Sequence, residues 1–506
     1  MTIYLYIMLL FTVGYVALDR QAARPLRRQL GWLPWALVAF VYVAAALSPR
    51  PEPFLVACGL VPLIRPRSRA DVACRYALLM PMMPELTVTL HAGSHVLAQL
   101  TPYTSLSFGS LLASAIARDP GPPPAPFRLR PEHAVIALFI VIYGIASPRF
   151  DDLSALIRGL LNYIMLLVIP FWLLVRTIRT REELFLVIGC FGASTVLLSV
   201  LALYEHHAGW SLFDALTDRI NIDRYLARSA SIRGGALRPS VTMGTPIEFG
   251  MLLALGLFAT AATLPLYRRR RVGLVAMAII SLALLSAQSR GALLMVGLGI
   301  LVVLIAQRRW GLAGGVAALG GLAYGMLKLA STSSTRVAAF MGAGQNYGSF
   351  RDYRTLLLAR GLEEGRKHPW IGASLDQVTT ELSDLTQGEH IVDFVNTYLH
   401  VYLMSGLLGL GLLVAALAVV GFELIRVDWK ALRQRAERPR LFCLAGLAGY
   451  LLSLATSSFY GRVPFMLVFL LVVARVLRAT DTSPRRRSAM PVLMEVRQQA
   501  AARAAA

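Results

Sequence analysis

The segment from Ser331 to Asn396 is the longest run without an apolar stretch, and it contains many side chains that could take part in chemistry. It ends on Glu389, His390 and Asp393, shortly before a long apolar stretch. A carboxylate or an imidazole there could accept a proton from a hydroxyl group, so His390 and Asp393 are candidate catalytic residues. Asp393 or Asn396 could instead cap the following helix by binding its free backbone N–H groups.

Two arginines are notable for their position beside apolar stretches. Arg238 lies shortly before a stretch that begins at Pro246, and Arg290 is the single charge in a tight turn between two such stretches. A charge near membrane depth requires a partner, and a planar guanidinium can bind a diphosphate through paired hydrogen bonds. The alternatives are a solvated loop or a contact with Glu248 for Arg238, and snorkelling to the interface for Arg290.

A basic helix is predicted inside the 331–396 segment. Arg351 and Arg354 are three residues apart and therefore share a helix face, which makes them further candidates for binding a diphosphate. The helix should end by His368, because Pro369 disfavours helical backbone at the residue before it.

The sequence does not indicate a metal centre or a bound cofactor. His206, His207 and His400 show no metal-ligand spacing, and the four cysteines form no C-x-x-C pair. No Walker-type glycine-rich loop is present either. We therefore expect chemistry that needs no metal and no cofactor.

Composition indicates a membrane protein. Of the 506 residues 56% are hydrophobic, whereas soluble domains have about 45–50% apolar residues. Apolar stretches of bilayer length recur along the whole chain, which predicts an all-α, polytopic membrane helix bundle of about 12–15 transmembrane helices. The stretches fall near 3–18, 32–48, 53–64, 76–96, 104–117, 133–147, 160–175, 184–204, 246–266, 272–287, 291–306, 311–330, 397–425, 441–457 and 464–477.

Clusters of arginine and lysine alternate with charge-poor turns such as 459–463, and this alternation assigns the clusters to the cytoplasm. The net charge of +22 fits that rule, and it also fits attraction to anionic lipid or to a phosphate-bearing substrate. No nucleic acid is expected, because the basic residues form short clusters between apolar stretches. The predicted organisation is N-terminal transmembrane helices in 1–118, transmembrane helices in 133–330 with a first outer loop at 205–245, a large, partly helical outer loop at 331–396, C-terminal transmembrane helices in 397–478 and a disordered cytoplasmic tail at 479–506.

Four short motifs follow one another along the chain. They are Arg238 before a proline-containing helix start, Ser289-Arg290-Gly291-Ala292, the run from Arg351 to His368-Pro369-Trp370-Ile371-Gly372, and Asn396-Thr397-Tyr398-Leu399 through Gly406-Leu407-Leu408-Gly409. In order and spacing they resemble the O-antigen ligase and Wzy-type polysaccharide polymerase superfamily over about residues 180–475.

The resemblance implies a metal-independent glycosyl transfer at the periplasmic face of the bacterial inner membrane. The donor would be a glycan on undecaprenyl diphosphate, held by Arg238 and Arg290, and a sugar hydroxyl of the acceptor would attack it. Asn396 and Tyr398 would support the glycan or the loop. Candidate partners are membrane lipid, a chain-length regulator and a flippase.

Two activities within this superfamily and one outside it remain open. Ligases that attach O-antigen to lipid A core carry a histidine directly before the matching asparagine, where this chain has Val395. This favours a polymerase of O-antigen or exopolysaccharide repeat units over a ligase. A lipid-linked oligosaccharide flippase is the alternative of another class, but it should show intramembrane ionisable residues and two related halves.

Overall fold

The computed structural model describes residues 2–47, 50–92, 95–117, 131–146, 153–213, 232–233, 235–341, 348–385, 392, 394–425, 429–459 and 461–481. The predicted tail at 479–506 lies almost entirely outside this part of the chain. The described part is overwhelmingly helical, and its strands are confined to two short antiparallel hairpins.

The N-terminal third consists of helices and one hairpin. The elements are α1 (Thr2–Gln21), α2 (Arg24–Leu30), α3 (Trp32–Leu47), α4 (Pro51–Leu60), α5 (Arg69–Leu79), β1 (Val88–Ala92), β2 (His95–Leu100) and α6 (Pro102–Ile116). The expectation of one apolar span near 76–96 is wrong, because α5 ends at Leu79 and a hairpin follows. Pro81 and Pro84 lack the backbone N–H groups that a continuing helix would need.

The middle of the chain runs from Pro131 to Ala330 and includes two largely buried helices, Arg181–Ala208 and Pro246–Ala262. The elements are α7 (Pro131–Ala146), α8 (Leu153–Tyr163), a π-helical turn (Ile164–Val168), α9 (Ile169–Thr177), α10 (Arg181–Ala208), β3 (Ile232–Arg233), β4 (Ala236–Leu237), α11 (Pro246–Ala262), α12 (Arg270–Ser286), α13 (Arg290–Ala306) and α14 (Trp310–Ala330). Helix α10 begins with a capping box between Thr180 and Glu183 and packs closely on α11, where Gly256 faces Thr195.

The last part of the chain contains three helices in the 331–396 segment, of 7, 18 and 7 residues, followed by the final apolar helices. The elements are α15 (Thr335–Met341), α16 (Gly348–Gly365), α17 (Leu375–Glu381), α18 (Thr397–Ile425), α19 (Trp429–Leu432), α20 (Arg438–Leu454) and α21 (Val463–Asp481). Helix α16 ends at Gly365, as the position of Pro369 predicts. The 331–396 segment is therefore partly helical, as expected.

The prediction of an all-α, polytopic membrane protein is confirmed. Among the described residues, five helical segments are long and apolar enough to cross a membrane: Gly159–Thr177, Arg181–Ala208, Trp310–Ala330, Thr397–Phe422 and Val463–Thr480. Shorter apolar helices such as Pro246–Ala262 and Arg290–Ala306 accompany them. The number of 12–15 transmembrane helices stays a prediction.

The basic clusters meet at one end of the bundle. The backbone N–H of Arg268 donates to Gln21 O, and Arg67 Nη1 donates to Arg28 O. Arg433 donates to Gln307 O through Nε and Nη2. Clusters that are far apart in sequence are thus neighbours in the structure, and their assignment to the cytoplasm stays a prediction. We call this end of the bundle the basic end and the opposite end the outer end.

An ion-pair network closes the basic end. Glu437 accepts hydrogen bonds from Arg181 Nη1 and Arg440 Nε, both at 2.8 Å. Burial alone would raise the pKa of Glu437, but these two guanidinium groups outweigh it and hold the pKa below its ordinary value. The network ties the start of α10 to the start of α20.

This network predicts an acid-sensitive contribution to stability. Because the pKa of Glu437 is lowered in the folded state, its contribution is present at neutral pH and is lost as the pH falls through that lowered pKa. We expect Glu437→Gln to reduce stability at pH 7 by roughly 1–3 kcal/mol and to flatten the decline of melting temperature below about pH 4.5. Thermal unfolding in detergent at several pH values measures both effects. Glu363→Gln, at an exposed site, is the control, and equal acid sensitivity of Glu437→Gln and wild type would contradict the prediction.

The His368–Gly372 motif docks into a break in helix α18. Gly406 lies inside α18 with φ 63° and ψ −163°, which interrupts the helix. The freed N–H groups of Leu407 and Leu408 donate to Pro369 O and Trp370 O. A Cβ on Gly406 would lie 2.3 Å from the backbone of Trp370. The motif and the glycine thus form one joint, which fixes the 331–396 segment to α18.

This joint predicts that Gly406 cannot be replaced. We expect Gly406→Ala to destabilise the protein by about 2 kcal/mol or more, because it combines a left-handed backbone with a clash against backbone atoms. The matched control is Gly411→Ala in the same helix, where a Cβ has no neighbour within 4 Å. Thermal unfolding in detergent measures the difference, and equal melting temperatures of the two variants would show the interpretation of the joint to be wrong.

Candidate functional site

Arg238 is held against the turn that precedes Arg290. It follows hairpin strand β4, and only 6% of its surface is exposed. Its Nε donates to the carbonyl oxygen of Ala287 at 3.0 Å, at the end of α12. Arg233 reaches the same turn, where its Nη1 donates to Gln288 O at 2.9 Å. Two arginines of the 205–245 segment therefore contact one turn.

Arg290 is the first residue of α13, directly after this turn. Its side chain is exposed, and its Nη1 donates to the carbonyl oxygen of Met341, the last residue of α15. The N–H groups of a helix N-terminus also favour an anion. The structure thus brings Arg238 and Arg290 to the same turn at the outer end, and their binding of a diphosphate stays a prediction.

The loop that carries Arg238 is held by a buried carboxylate. Glu205 is fully buried near the end of α10, and its two oxygens accept hydrogen bonds from Leu212 N at 2.8 Å and Val241 N at 3.1 Å. Val241 adopts a φ of 50°, which is a strained backbone for a β-branched residue. The carboxylate that binds its N–H holds this backbone in place.

The candidate residues of the 331–396 segment are only partly described. Arg354 lies on helix α16 and is exposed. Arg351 lies on the same helix, but its side chain is outside the described part of the structure. His390 and Asp393 lie outside the described residues altogether. The catalytic role of His390 and Asp393 therefore stays a prediction.

Asn396 and Tyr398 have structural contacts that explain their place before α18. Asn396 Oδ1 accepts hydrogen bonds from the backbone N–H groups of Tyr398 and Leu399, at 3.0 and 3.3 Å. Tyr398 Oη donates to Leu451 O at 2.8 Å, in helix α20. Thr397 Oγ1 donates to Ser457 O, in the turn after α20. Asn396 thus caps α18, and its neighbours fix that cap to the outer end.

Sequence analysis missed Arg462, which is fully buried in the turn before α21. Its Nη1 donates to the carbonyl oxygens of Met80 and Pro81, and its guanidinium lies over the ring of Tyr103 at 5.4 Å. The signal was present in the sequence, because Arg462 is a single arginine between two apolar stretches, as Arg290 is. The turn at 459–463 therefore contains a buried arginine, although the alternation of charge along the chain groups it with the charge-poor turns.

Two acidic residues accompany Arg462, and sequence analysis missed Glu85 altogether. Glu85 Oε2 accepts a hydrogen bond from Gly244 N at 3.0 Å, so it contacts the loop that begins with Arg238. Glu248, at the start of α11, is 2% exposed, and no arginine side chain donates to its carboxylate, which lies beside Glu85 and the backbone N–H of Arg462. Glu248 is therefore not a hydrogen-bond partner of Arg238, which rules out one alternative from the sequence.

A second group of charges lies on the 331–396 segment between α16 and α17. A small cavity there is lined by Arg360, Glu363, Glu364, Lys367, Glu381 and Leu382. The hydrogen bond from Lys367 to Glu364 raises the pKa of Lys367. These residues pair with one another, and we assign them no part in binding.

Within the described ranges, no three histidine, cysteine, aspartate or glutamate side chains form a group that could hold a metal ion. The four cysteines are buried and free. The polar groups that meet at the outer end are instead guanidinium groups, carboxylates and hydroxyls. Such a site can bind phosphate through arginine and hydroxyl groups through carboxylate.

Comparison with known proteins supports the resemblance. Residues 275–414 match the model of the family described as O-antigen ligase, Wzy_C. The matched segment runs from α12 into α18 and includes Arg290, Asn396 and Tyr398, whereas Glu85, Arg238 and Arg462 lie outside it. No curated protein matches the chain significantly. The resemblance to the O-antigen ligase and Wzy superfamily is thereby confirmed.

The cap at Asn396 predicts which substitutions are tolerated there. We expect Asn396→Ala to destabilise the protein by about 1 kcal/mol, because two N–H groups of α18 lose their acceptor. Asn396→Asp and Asn396→Ser should retain both stability and activity, since either side chain can cap a helix. Melting temperature and glycan synthesis are measured side by side. Loss of synthesis in Asn396→Ser at unchanged melting temperature would instead indicate direct contact with substrate.

Proposed function

We propose that this chain is a membrane glycosyltransferase that polymerises lipid-linked polysaccharide repeat units, because residues 275–414 match the model of the O-antigen ligase family. The donor is a glycan carried on undecaprenyl diphosphate, and the product is O-antigen or exopolysaccharide. The observation that carries this proposal is the meeting of Arg238 and Arg290 at one turn of the outer end.

The chemistry of the donor explains why arginines are needed. When the bond between the anomeric carbon and the diphosphate breaks, negative charge develops on the leaving group. Guanidinium groups fixed in advance stabilise that charge most effectively where water is largely excluded. Arg238 is buried and Arg290 is exposed, so the pair can bind a diphosphate from two sides at the membrane surface. Arg351 and Arg354, on α16, are the further candidates for this role. No metal ion is required.

The outer end is assigned to the periplasm. The basic clusters lie at the opposite end, and cytoplasmic loops are enriched in arginine and lysine. A lipid-linked glycan that has been moved to the periplasmic leaflet of the bacterial inner membrane would then present its diphosphate at the depth of Arg238. A flippase and a chain-length regulator are the protein partners that such a reaction implies.

A polymerase is favoured over a ligase by one residue. Val395 occupies the position before Asn396, where ligases that act on lipid A core have histidine. A valine cannot take up a proton or donate a hydrogen bond from its side chain. Transfer to lipid A core is therefore the second candidate function.

Substitution of the two arginines tests the proposed role. We expect Arg238→Ala and Arg290→Ala each to lower kcat/KM for the lipid-linked donor by about 10²–10³-fold, because each removes a charge that stabilises the leaving group. Long-chain glycan in cells and transfer by the purified protein are both measured. Arg269→Ala, at the basic end, is the matched control and should leave transfer unchanged.

Two further outcomes decide between the candidate functions. Normal long-chain glycan from membrane-inserted Arg238→Ala and Arg290→Ala would overturn the diphosphate role. In a strain without the gene, single repeat units on the carrier or core indicate a polymerase. Long polymers left on the lipid carrier indicate a ligase instead.

A further inference from the structure

Two carboxylates and a guanidinium lie together at the outer end, outside the segment that the family match covers. A Cβ on Gly461 would lie 2.6 Å from Glu248 Oε1 and 2.7 Å from Glu85 Oε1. The two carboxylates are therefore side by side against the same point of the backbone. Arg462 follows Gly461 directly and interacts electrostatically with both of them. We call Glu85, Glu248 and Arg462 the acid–arginine cluster.

The buried members of this cluster have unused hydrogen-bonding capacity. Nε and Nη2 of Arg462 have no hydrogen-bond partner in the described part of the chain, and no arginine side chain donates to the Glu248 carboxylate, which lies beside Glu85 and the backbone N–H of Arg462. An unpaired buried polar group is destabilising, and most such groups are paired in folded proteins. A hydroxyl group both donates and accepts, so a ligand rich in hydroxyls can satisfy carboxylate and guanidinium together.

Glu85 lies on the side of the cluster from which a ligand can enter. It is half-buried, whereas Glu248 and Arg462 are 2% and 0% exposed. Its Oε2 is held by the N–H of Gly244, which leaves Oε1 directed towards Glu248 and Gly461. Gly461 has a φ of 61°, and the absence of a side chain lets the turn close onto the carboxylates.

The cluster is joined to the arginine that we assign to the donor. The N–H of Glu85 donates to Thr242 O at 2.9 Å, and Gly244 N donates back to the Glu85 carboxylate. Thr242 Oγ1 also donates to Pro81 O, which is an acceptor for Arg462. Residues 242–244 of the loop that begins with Arg238 therefore contact Glu85. The same short segment holds both Arg238 and the acid–arginine cluster.

Glu205, another buried carboxylate at this end, is already occupied. Both oxygens of Glu205 accept backbone N–H groups, from Leu212 and Val241. Accepting a proton would require Glu205 to release a loop. Glu85 has one oxygen that is not engaged in this way, so it is better suited than Glu205 to take part in proton transfer.

On these grounds we propose that the acid–arginine cluster is the acceptor subsite and that Glu85 receives the proton of the attacking sugar hydroxyl. This inference rests on the proposed function. The hydroxyl oxygen forms a bond to the anomeric carbon of the donor, and its proton passes to the Glu85 carboxylate. The bond from the anomeric carbon to the diphosphate breaks, and the diphosphate leaves with that electron pair. Glu248 and Arg462 are positioning residues that orient Glu85 and the acceptor.

The test uses a nucleophile that needs no base. Full-length wild type and Glu85→Gln are purified in detergent and supplied with the lipid-linked donor, either with the glycan acceptor or with sodium azide. Azide is already an anion, so its attack on the anomeric carbon releases no proton. Azide concentrations are those at which the wild type forms the glycosyl azide. Glutamine keeps the acceptor for Gly244 N–H, and Glu52→Gln, an exposed acid at the start of α4, is the matched control.

The expected result is a difference between the two nucleophiles. Glu85→Gln should transfer to the glycan acceptor about 10²-fold or more slowly than wild type, while glycosyl azide forms within about threefold of the wild-type rate. Glu52→Gln should match the wild type in both reactions. Normal glycan transfer by Glu85→Gln overturns the proposal, as does an equal loss of both reactions, which a merely structural role would cause.

The same experiment separates this inference from the proposed function. If the wild type does not transfer from the lipid-linked donor to either nucleophile, the proposed function fails. If the wild type is active and Arg238→Ala abolishes both reactions while Glu85→Gln behaves as wild type, the donor assignment stands and the acceptor assignment fails. Asp393→Asn and His390→Gln are compared in the same assay, and a selective loss of glycan transfer in either one, with Glu85→Gln normal, assigns the proton to the 386–393 segment instead.

Discussion

The hydrogen bonds to the Glu205 carboxylate are the constraint on which the candidate site depends. Loops at the outer end of a membrane bundle contain backbone N–H groups that neither lipid nor a helix can satisfy. Glu205 satisfies two of them, at Leu212 and Val241, and so closes the segment between α10 and α11 at both of its ends. The backbone of Val241 is strained, and this residue lies three positions after Arg238. The hydrogen bond from Val241 N–H to Glu205 thus helps to fix the position of Arg238.

A second constraint fixes the 331–396 segment to the bundle. An interrupted helix exposes N–H groups, and in α18 these groups are paired with carbonyl oxygens of Pro369 and Trp370. The break at Gly406 is therefore tolerated because another segment fills it. Arg290, which binds Met341 O, makes a further contact between the bundle and the same segment. These contacts bring the start, middle and end of the 331–396 segment to the helices that border the site.

Sequence patterns predicted the parts of the fold that depend on burial and charge. The lengths of the apolar stretches predicted most of the helices. The arginine clusters predicted that residues such as Arg67, Arg268 and Arg433 lie at one end of the bundle. The prediction of one apolar span at 76–96 was wrong. The composition of this stretch is that of a helix, but its two prolines prevent the backbone from continuing one. The meeting of Arg238 and Arg290 at one turn agrees with their shared position beside apolar stretches.

The carboxylates of the acid–arginine cluster could not be predicted from burial and charge patterns in the same way. Glu85 lies between short apolar segments of a hairpin region, and neither spacing nor charge distinguishes it from a solvated residue. It becomes significant only because Gly461 and Arg462, in the turn before α21, and Glu248, at the start of α11, lie against it. Long-range packing of this kind has no local signal, whereas the single arginine at 462 does have one.

The distribution of these groups over the chain suggests how donor and acceptor recognition are divided. Arg290, Asn396 and the His368–Gly372 joint lie in the segment that matches the O-antigen ligase family. Arg238, Glu85, Glu248 and Arg462 lie outside it and are held together by the 238–245 loop. A diphosphate is common to the donors carried on undecaprenyl diphosphate, whereas the acceptor differs between glycans. A shared segment that provides Arg290 and a separate set of elements that forms the acid–arginine cluster would allow the acceptor to change while the leaving-group chemistry stays the same.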